Sequence, residues 1–126
     1  CIALSHRGRN APCLLGGIKM TFAVNNSIWR LSFEKPSSSN LLRSDGVATL
    51  GVTDNALKTV FINNRLTQKM TDKVLCHELV HVYSFENGLS IPIETEEIIA
   101  DFMSLYGRDI IYLADSILSN VLGNAI

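Results

Sequence analysis

The chain has 126 residues, a length typical of one domain, and a formal net charge of −1. Its 11 basic and 12 acidic residues exclude the strong positive field that is typical of nucleic-acid or anionic-membrane binding. No run reaches the roughly 18 apolar residues of a membrane span, and three sparse cysteines favour a reducing compartment. We therefore expect a single cytoplasmic domain over residues 1–126, with no nucleic-acid or membrane partner.

Residues 1–19 show no clear hydrophobic period. The chain opens on Cys1 and its first methionine is Met20, so we interpret 1–19 as an extension or a disordered end. The spacing of Cys1, His6 and Cys13 matches no zinc pattern. The folded core is therefore expected over about residues 20–122.

Three segments have the composition of strands. Residues 28–33 place Trp29 on an apolar face, and residues 47–53 and 57–63 follow with tight turns around them. Tight turns between successive short strands favour antiparallel neighbours. The sequence thus predicts a small, mainly antiparallel three-stranded sheet with Trp29 in the core.

The second half of the chain is helical in pattern. Thr67 or Thr71 can cap a helix that runs to about residue 85 and is apolar nearly all round, which is typical of a buried helix. Two further helices are expected at about 95–106 and 109–122, with Gly107 as the end or an interruption of the first. The predicted fold class is α+β, with the sheet packed on the buried helix.

That helix contains the sequence His-Glu-Leu-Val-His at positions 77–81. Side chains four residues apart lie on one face of a helix, so His77 and His81 can bind one Zn²⁺. Glu78 between them can then act as the general base. Cys76 points about 100° away from His77 and is interpreted as a small core residue.

Catalytic zinc usually has three protein ligands. We assign the third to Glu97, and we expect Asp101, one turn later, to accept the N–H of a zinc-bound histidine. Glu96 points about 100° away and suits solvent better, and Glu94 lies before the expected helix. The alternative is a pair of hydrogen-bonded core histidines, with Glu97 as a helix-start charge and Asp101 as a solvated residue.

The motif predicts hydrolysis by a water molecule that zinc activates. Glu78 takes the proton of this water and passes it to the leaving amine. One further donor stabilises the oxyanion beside zinc. The sequence leaves five candidates open for that donor: Tyr83, Tyr106, Tyr112, Arg108 and His6.

The H-E-L-V-H run at 77–81, followed by E-x-x-A-D at 97–101, resembles the gluzincin metallopeptidases of the thermolysin type. Over roughly residues 47–105 the chain looks most like the compact ImmA/IrrE-like peptidases of phages and mobile elements, and more distantly like SprT-like minimal metallopeptidases. The resemblance implies a zincin-like minimal domain with one Zn²⁺ per chain and a protein or peptide substrate, which is a repressor in ImmA/IrrE-like proteins. This chain has Val80 where those peptidases usually carry glycine.

A zinc-dependent peptidase is therefore the predicted function. The alternative from another class is a catalytically silent zincin-fold module for binding or assembly in a phage or mobile element. A zinc hydrolase acting on a different amide is the third hypothesis. Glu78 favours catalysis, because a purely structural zinc site needs no base and usually has a fourth protein ligand. The sequence does not predict an oligomeric state.

Overall fold

The computed structural model describes residues 19–123, which form four strands and two long helices. The strands are β1 (Lys19–Val24), β2 (Ser27–Glu34), β3 (Gly51–Asp54) and β4 (Thr59–Asn63), and the helices are α1 (Gln68–Glu86) and α2 (Ile93–Leu122). The α+β class is confirmed. The expectations for residues 1–18, including Cys1, His6 and Cys13, lie outside the described residues.

The strands form one mixed sheet in the order β1-β2-β4-β3. β1 with β2 and β3 with β4 are antiparallel, but β2 and β4 are parallel, with Leu31 paired to Val60. The predicted count of three strands is therefore wrong, and the sheet is mixed, although two of its three strand pairings are antiparallel. Residues 35–50 carry the chain past the position of β4 to the far edge of the sheet, and the β3–β4 hairpin then brings β4 back beside β2.

The additional strand is β1, which precedes a turn at Asn25–Asn26 and to which the sequence analysis assigned no strand. Both asparagines have positive φ, 51° and 71°, as the tightest hairpin turns require. In β1 Val24 is buried and Phe22 half-buried, while residues 21 and 23 are exposed. Burial in β1 therefore alternates between the core side and solvent from Thr21 to Val24, and the strand covers the outer edge of β2.

The third layer of the molecule is α2, because α1 lies between the sheet and α2. One face of the sheet packs on α1, and α2 packs on α1 rather than on the sheet. Trp29 is fully buried, as predicted, and its indole N–H donates to Glu86 Oε2 at 2.7 Å. The core cluster consists of Val24, Trp29, Leu31, Val60, Ile62, Val74 and Val82.

Helix α1 begins after Thr67, whose hydroxyl accepts the Met70 N–H at 3.1 Å. Thr67, and not Thr71, is thus the cap. The expectation of a helix buried on every side is wrong, since Tyr83 and Phe85 are 53% and 45% exposed. A helix that packs between two layers keeps its two flanks open, and one of those flanks carries the site described below.

Helix α2 is a single helix of 30 residues, so the two predicted C-terminal helices are wrong. Gly107 lies buried inside it, and one glycine costs a helix only about 1 kcal/mol. Contacts from Ser84 to Glu96 and from Asp72 to Arg108 show that α2 runs antiparallel to α1.

Beyond Arg108, α2 extends past the start of α1. All residues of 109–122 except Ser116 are exposed. Eight of them are large and apolar: Ile110, Ile111, Tyr112, Leu113, Ile117, Leu118, Val121 and Leu122. Neither α2 nor any other helix within residues 19–123 has the length and apolarity needed to cross a membrane.

Candidate metal centre

The two histidines of the motif lie on one face of α1. Their ring centroids are 5.1 Å apart, and the side chains of His77 and His81 are 19% and 8% exposed. Helical spacing alone brings them together, because residues four apart are one turn apart. Both rings face helix α2.

Glu97 lies across from both rings. Its Oε1 is 3.0 Å from His77 Nε2, and its Oε2 is 2.9 Å from His81 Nε2. Ligand atoms of His77, His81 and Glu97 all lie within 4.8 Å of one another, so this group can hold a metal ion. Ligand atoms in a tetrahedral site with bonds of 2.0–2.1 Å are separated by about 3.3 Å, so the spacing fits a small divalent cation.

The remaining nitrogen of each ring also faces a carboxylate. Asp101 Oδ1 lies 2.9 Å from His77 Nδ1, and Glu96 Oε2 lies 2.5 Å from His81 Nδ1. Carboxylates in this position fix the tautomer and the orientation of metal-binding histidines. Asp101 lies where the sequence analysis expected a partner of a histidine.

The donor count of these rings fits a bound cation, as it also fits doubly protonated imidazolium rings. A neutral imidazole carries one N–H, so it can donate to only one of its two carboxylate neighbours. A cation bound between the Nε2 atoms and Glu97 lets each Nδ1–H donate to its own acid, His77 to Asp101 and His81 to Glu96. The surroundings of both rings therefore suit a bound metal ion.

Glu96 contradicts the expectation that it suits solvent. It is buried, and the Ser84 hydroxyl donates to its Oε1 at 2.5 Å. Burial by itself raises the pKa of Glu96, but hydrogen bonds from Ser84 and His81 outweigh it and lower this pKa below its usual value. Glu96, Ala100 and Gly107 are the buried residues of α2 and mark the side that packs on α1.

Glu97 and Asp101 lie at the flank of that packed side, and their side chains are 49% and 69% exposed. Glu94 lies in the first turn of α2, and not before the helix as expected. Cys76 is half-buried, and not a fully buried core residue. No residue type in the sequence distinguishes Glu96 from its neighbouring acids, because the distinction depends on how α2 is rotated against α1.

The side chain of Glu78, a residue of α1, lies against strand β3. The Thr53 hydroxyl lies 2.7 Å from Glu78 Oε1, and Gly51 passes so close that a Cβ there would lie 3.1 Å from Glu78 Cγ. Burial raises the pKa of Glu78 above its usual value, although the Thr53 hydrogen bond and the two histidines oppose this shift. A raised pKa strengthens a carboxylate as a base.

A groove, here called the metal groove, lies over His77, Glu78 and Glu97. Strand β3 and the loop before it form one side of this groove, and α2 forms the other. Its charged lining comprises Arg43, Lys73, Glu78, Glu97 and Asp101, beside His77 and His81. The sequence analysis overlooked Arg43 and Lys73, since neither belongs to the motif and only the fold brings them to the groove.

The expected oxyanion donors lie elsewhere in the described chain. Tyr83, Tyr112 and Arg108 line an apolar groove on the other flank of the two helices. Arg108 also pairs with Asp72 at 2.5 Å. Tyr106 stacks against Phe102, with ring centroids 5.2 Å apart, and does not line the metal groove. His6 lies outside the described residues.

No protein-family model matches this chain, and neither curated proteins nor solved structures show a significant match to it.

Proposed function

We propose that this protein is a zinc-dependent peptidase of the gluzincin type. His77, His81 and Glu97 are the zinc ligands, and Glu78 is the general base. The observation that carries the proposal is that all four ring nitrogens of the two histidines lie within 3.0 Å of a carboxylate oxygen. Two nitrogen ligands and one carboxylate are a catalytic zinc set that leaves a position open for water.

Bound zinc supplies Lewis-acid activation of water and of the scissile carbonyl. Glu78 accepts the proton of the attacking water and delivers it to the leaving amine. Thr53 holds Oε1 of Glu78 at 2.7 Å, so the proton transfer falls to Oε2. The raised pKa of Glu78 supports this role, because a higher pKa makes a carboxylate a stronger base.

A peptide is favoured over other amides by the position of β3. This strand is at the edge of the sheet, and within residues 19–123 no strand pairs with its outer side. Gly51 of β3 lines the metal groove together with His77, His81 and Glu97. The backbone of an extended peptide can form hydrogen bonds with such an edge, which would hold a scissile bond over Glu78.

Metal content and cleavage together test the proposal. Wild type and Glu78→Gln are expected to bind about one zinc per chain, whereas His81→Ala loses it. Wild type should cleave a randomised peptide library, and so should the control Glu94→Gln, which changes an exposed acid of the same helix. Glu78→Gln and His81→Ala should not cleave it. Equal zinc in His81→Ala and wild type would refute the metal site. Zinc binding without cleavage by wild type would favour the binding module over the enzyme.

A further inference from the structure

The acidic and basic side chains of the metal groove differ in how fully they are paired within the protein. Three carboxylates line it, and each already has a partner: Glu78 has Thr53, and Glu97 and Asp101 have the histidines. Zinc at the site would neutralise the acids further. Each acid of the groove therefore already has a partner within the protein.

The cations of the groove differ from the acids in this respect. Lys73 lies on α1 one turn before His77, and it forms no ion pair with any residue of 19–123. Arg43 pairs with Asp45 at 2.5 Å, but both side chains are more than half exposed. Arg43 holds Asp45 through Nε and one terminal nitrogen, and within residues 19–123 its other terminal nitrogen forms no hydrogen bond, so that nitrogen can bind a second anion.

The loop that carries Arg43 is held in place from both ends. Leu41 is fully buried, and its carbonyl oxygen accepts the Thr49 hydroxyl at 2.7 Å. Leu42 and Ala48 form a bridge across the loop. Arg43 is therefore presented at the groove by a fixed backbone, on the side opposite α2.

We propose that the groove selects peptides with an acidic side chain close to the scissile bond, and that Lys73 binds this side chain with Arg43 beside it. This inference rests on the proposed peptidase function. One helical turn places Lys73 about 6 Å from His77 along α1. An extended peptide advances about 3.3–3.6 Å per residue, so the acidic residue lies within about two positions of the cleaved bond.

The test uses the zinc-loaded full chain and a randomised decapeptide library aligned on the cleaved bond. The position with the strongest acidic preference is then compared in two matched peptides, one with Glu and one with Gln. Wild type should give a Glu/Gln ratio of kcat/KM above one, and Lys73→Met should lower this ratio about two- to fivefold, as loss of one exposed ion pair predicts. Lys69→Met, which removes an exposed lysine outside the groove, should keep the wild-type ratio.

Charge reversal and salt provide independent readouts. Lys73→Glu should invert the preference towards a matched peptide with Lys at that position. High salt should bring the wild-type ratio towards one, because exposed charges are screened. A wild-type ratio at or below one, or an unchanged ratio in Lys73→Met, overturns the inference while peptide cleavage stands. No cleavage of any peptide by the zinc-loaded wild type overturns the peptidase proposal, and this inference with it.

Discussion

The Thr53 hydroxyl lies 2.7 Å from Oε1 of Glu78 and 3.1 Å from the backbone carbonyl oxygen of the same residue. Strand β3 is thus bound to helix α1 at the proposed general base. One hydroxyl can donate to only one acceptor at a time, and the shorter contact favours the carboxylate. Thr53 is therefore a positioning residue for Glu78 and is not one of the proposed metal ligands.

Thr53→Val keeps the shape of the side chain and removes the hydroxyl. We expect kcat to fall about ten- to a hundredfold, since loss of a hydrogen bond to a charged group costs about 1.5–3 kcal/mol. The Thr53 hydrogen bond lowers the pKa of Glu78, so the acidic limb of the pH–rate profile should move to higher pH. Zinc content should stay unchanged and Thr53→Ser should restore the rate. Wild-type kinetics in Thr53→Val would contradict this role.

Glu96 gives a prediction for metal affinity. Glu96→Gln removes the charge that faces His81 Nδ1 at 2.5 Å, and removal of such an outer partner typically weakens metal binding about 10- to 100-fold. Competition with a chromogenic chelator measures the zinc dissociation constant. The matched control is Glu94→Gln, an exposed acid in the first turn of the same helix. Equal zinc affinity in Glu96→Gln and Glu94→Gln would show that Glu96 does not support metal binding.

The pairing of His77 with His81 and of Glu97 with Asp101 could be predicted from sequence because each pair is local. His77 and His81 are one turn apart on one helix, and Glu97 and Asp101 are one turn apart on the next. Such spacing specifies the relative positions of each pair without any knowledge of tertiary structure. The sequence also predicted Asp101 beside a histidine, and the two lie 2.9 Å apart.

Glu96 could not be found in this way. Neighbouring residues of a helix point about 100° apart, yet the packing of α2 on α1 places both Glu96 and Glu97 against His81. The parallel pairing of β2 and β4 was missed for a similar reason, since it depends on where residues 35–50 lead the chain. Both features are properties of the packed molecule and leave no local pattern.

Glu86, the last residue of α1, gives an acid-sensitive contribution to stability. Hydrogen bonds from Lys58, Ser27 and Trp29 lower the pKa of Glu86 from 4.5 to about 2. Because the folded value lies below the ordinary one, this contribution is complete above pH 4.5 and is lost as the pH falls towards about 2. In urea unfolding, the free energies of unfolding of wild type and Glu86→Gln should differ most above pH 4.5. They should converge as the pH falls from 4.5 towards about 2. A difference that stays constant through the interval would contradict the assignment.

Gly51 marks the closest approach of β3 to α1. A Cβ at this position would lie 2.7 Å from Val74 Cγ1 and 3.3 Å from Glu78 Oε2. Gly51→Ala should therefore lower the free energy of unfolding by about 1–3 kcal/mol, the usual cost of overpacking, and displace Glu78 from Thr53.

Chemical denaturation measures the stability of this variant, and kcat with zinc content reports on the base. The double variant Gly51→Ala/Val74→Ala removes the nearest obstructing methyl group, so it should be more stable than the sum of the two single changes predicts. Strict additivity would show that the added methyl does not meet Val74. A Gly51→Ala protein with wild-type stability and wild-type kcat would show that β3 can move away from α1 without cost.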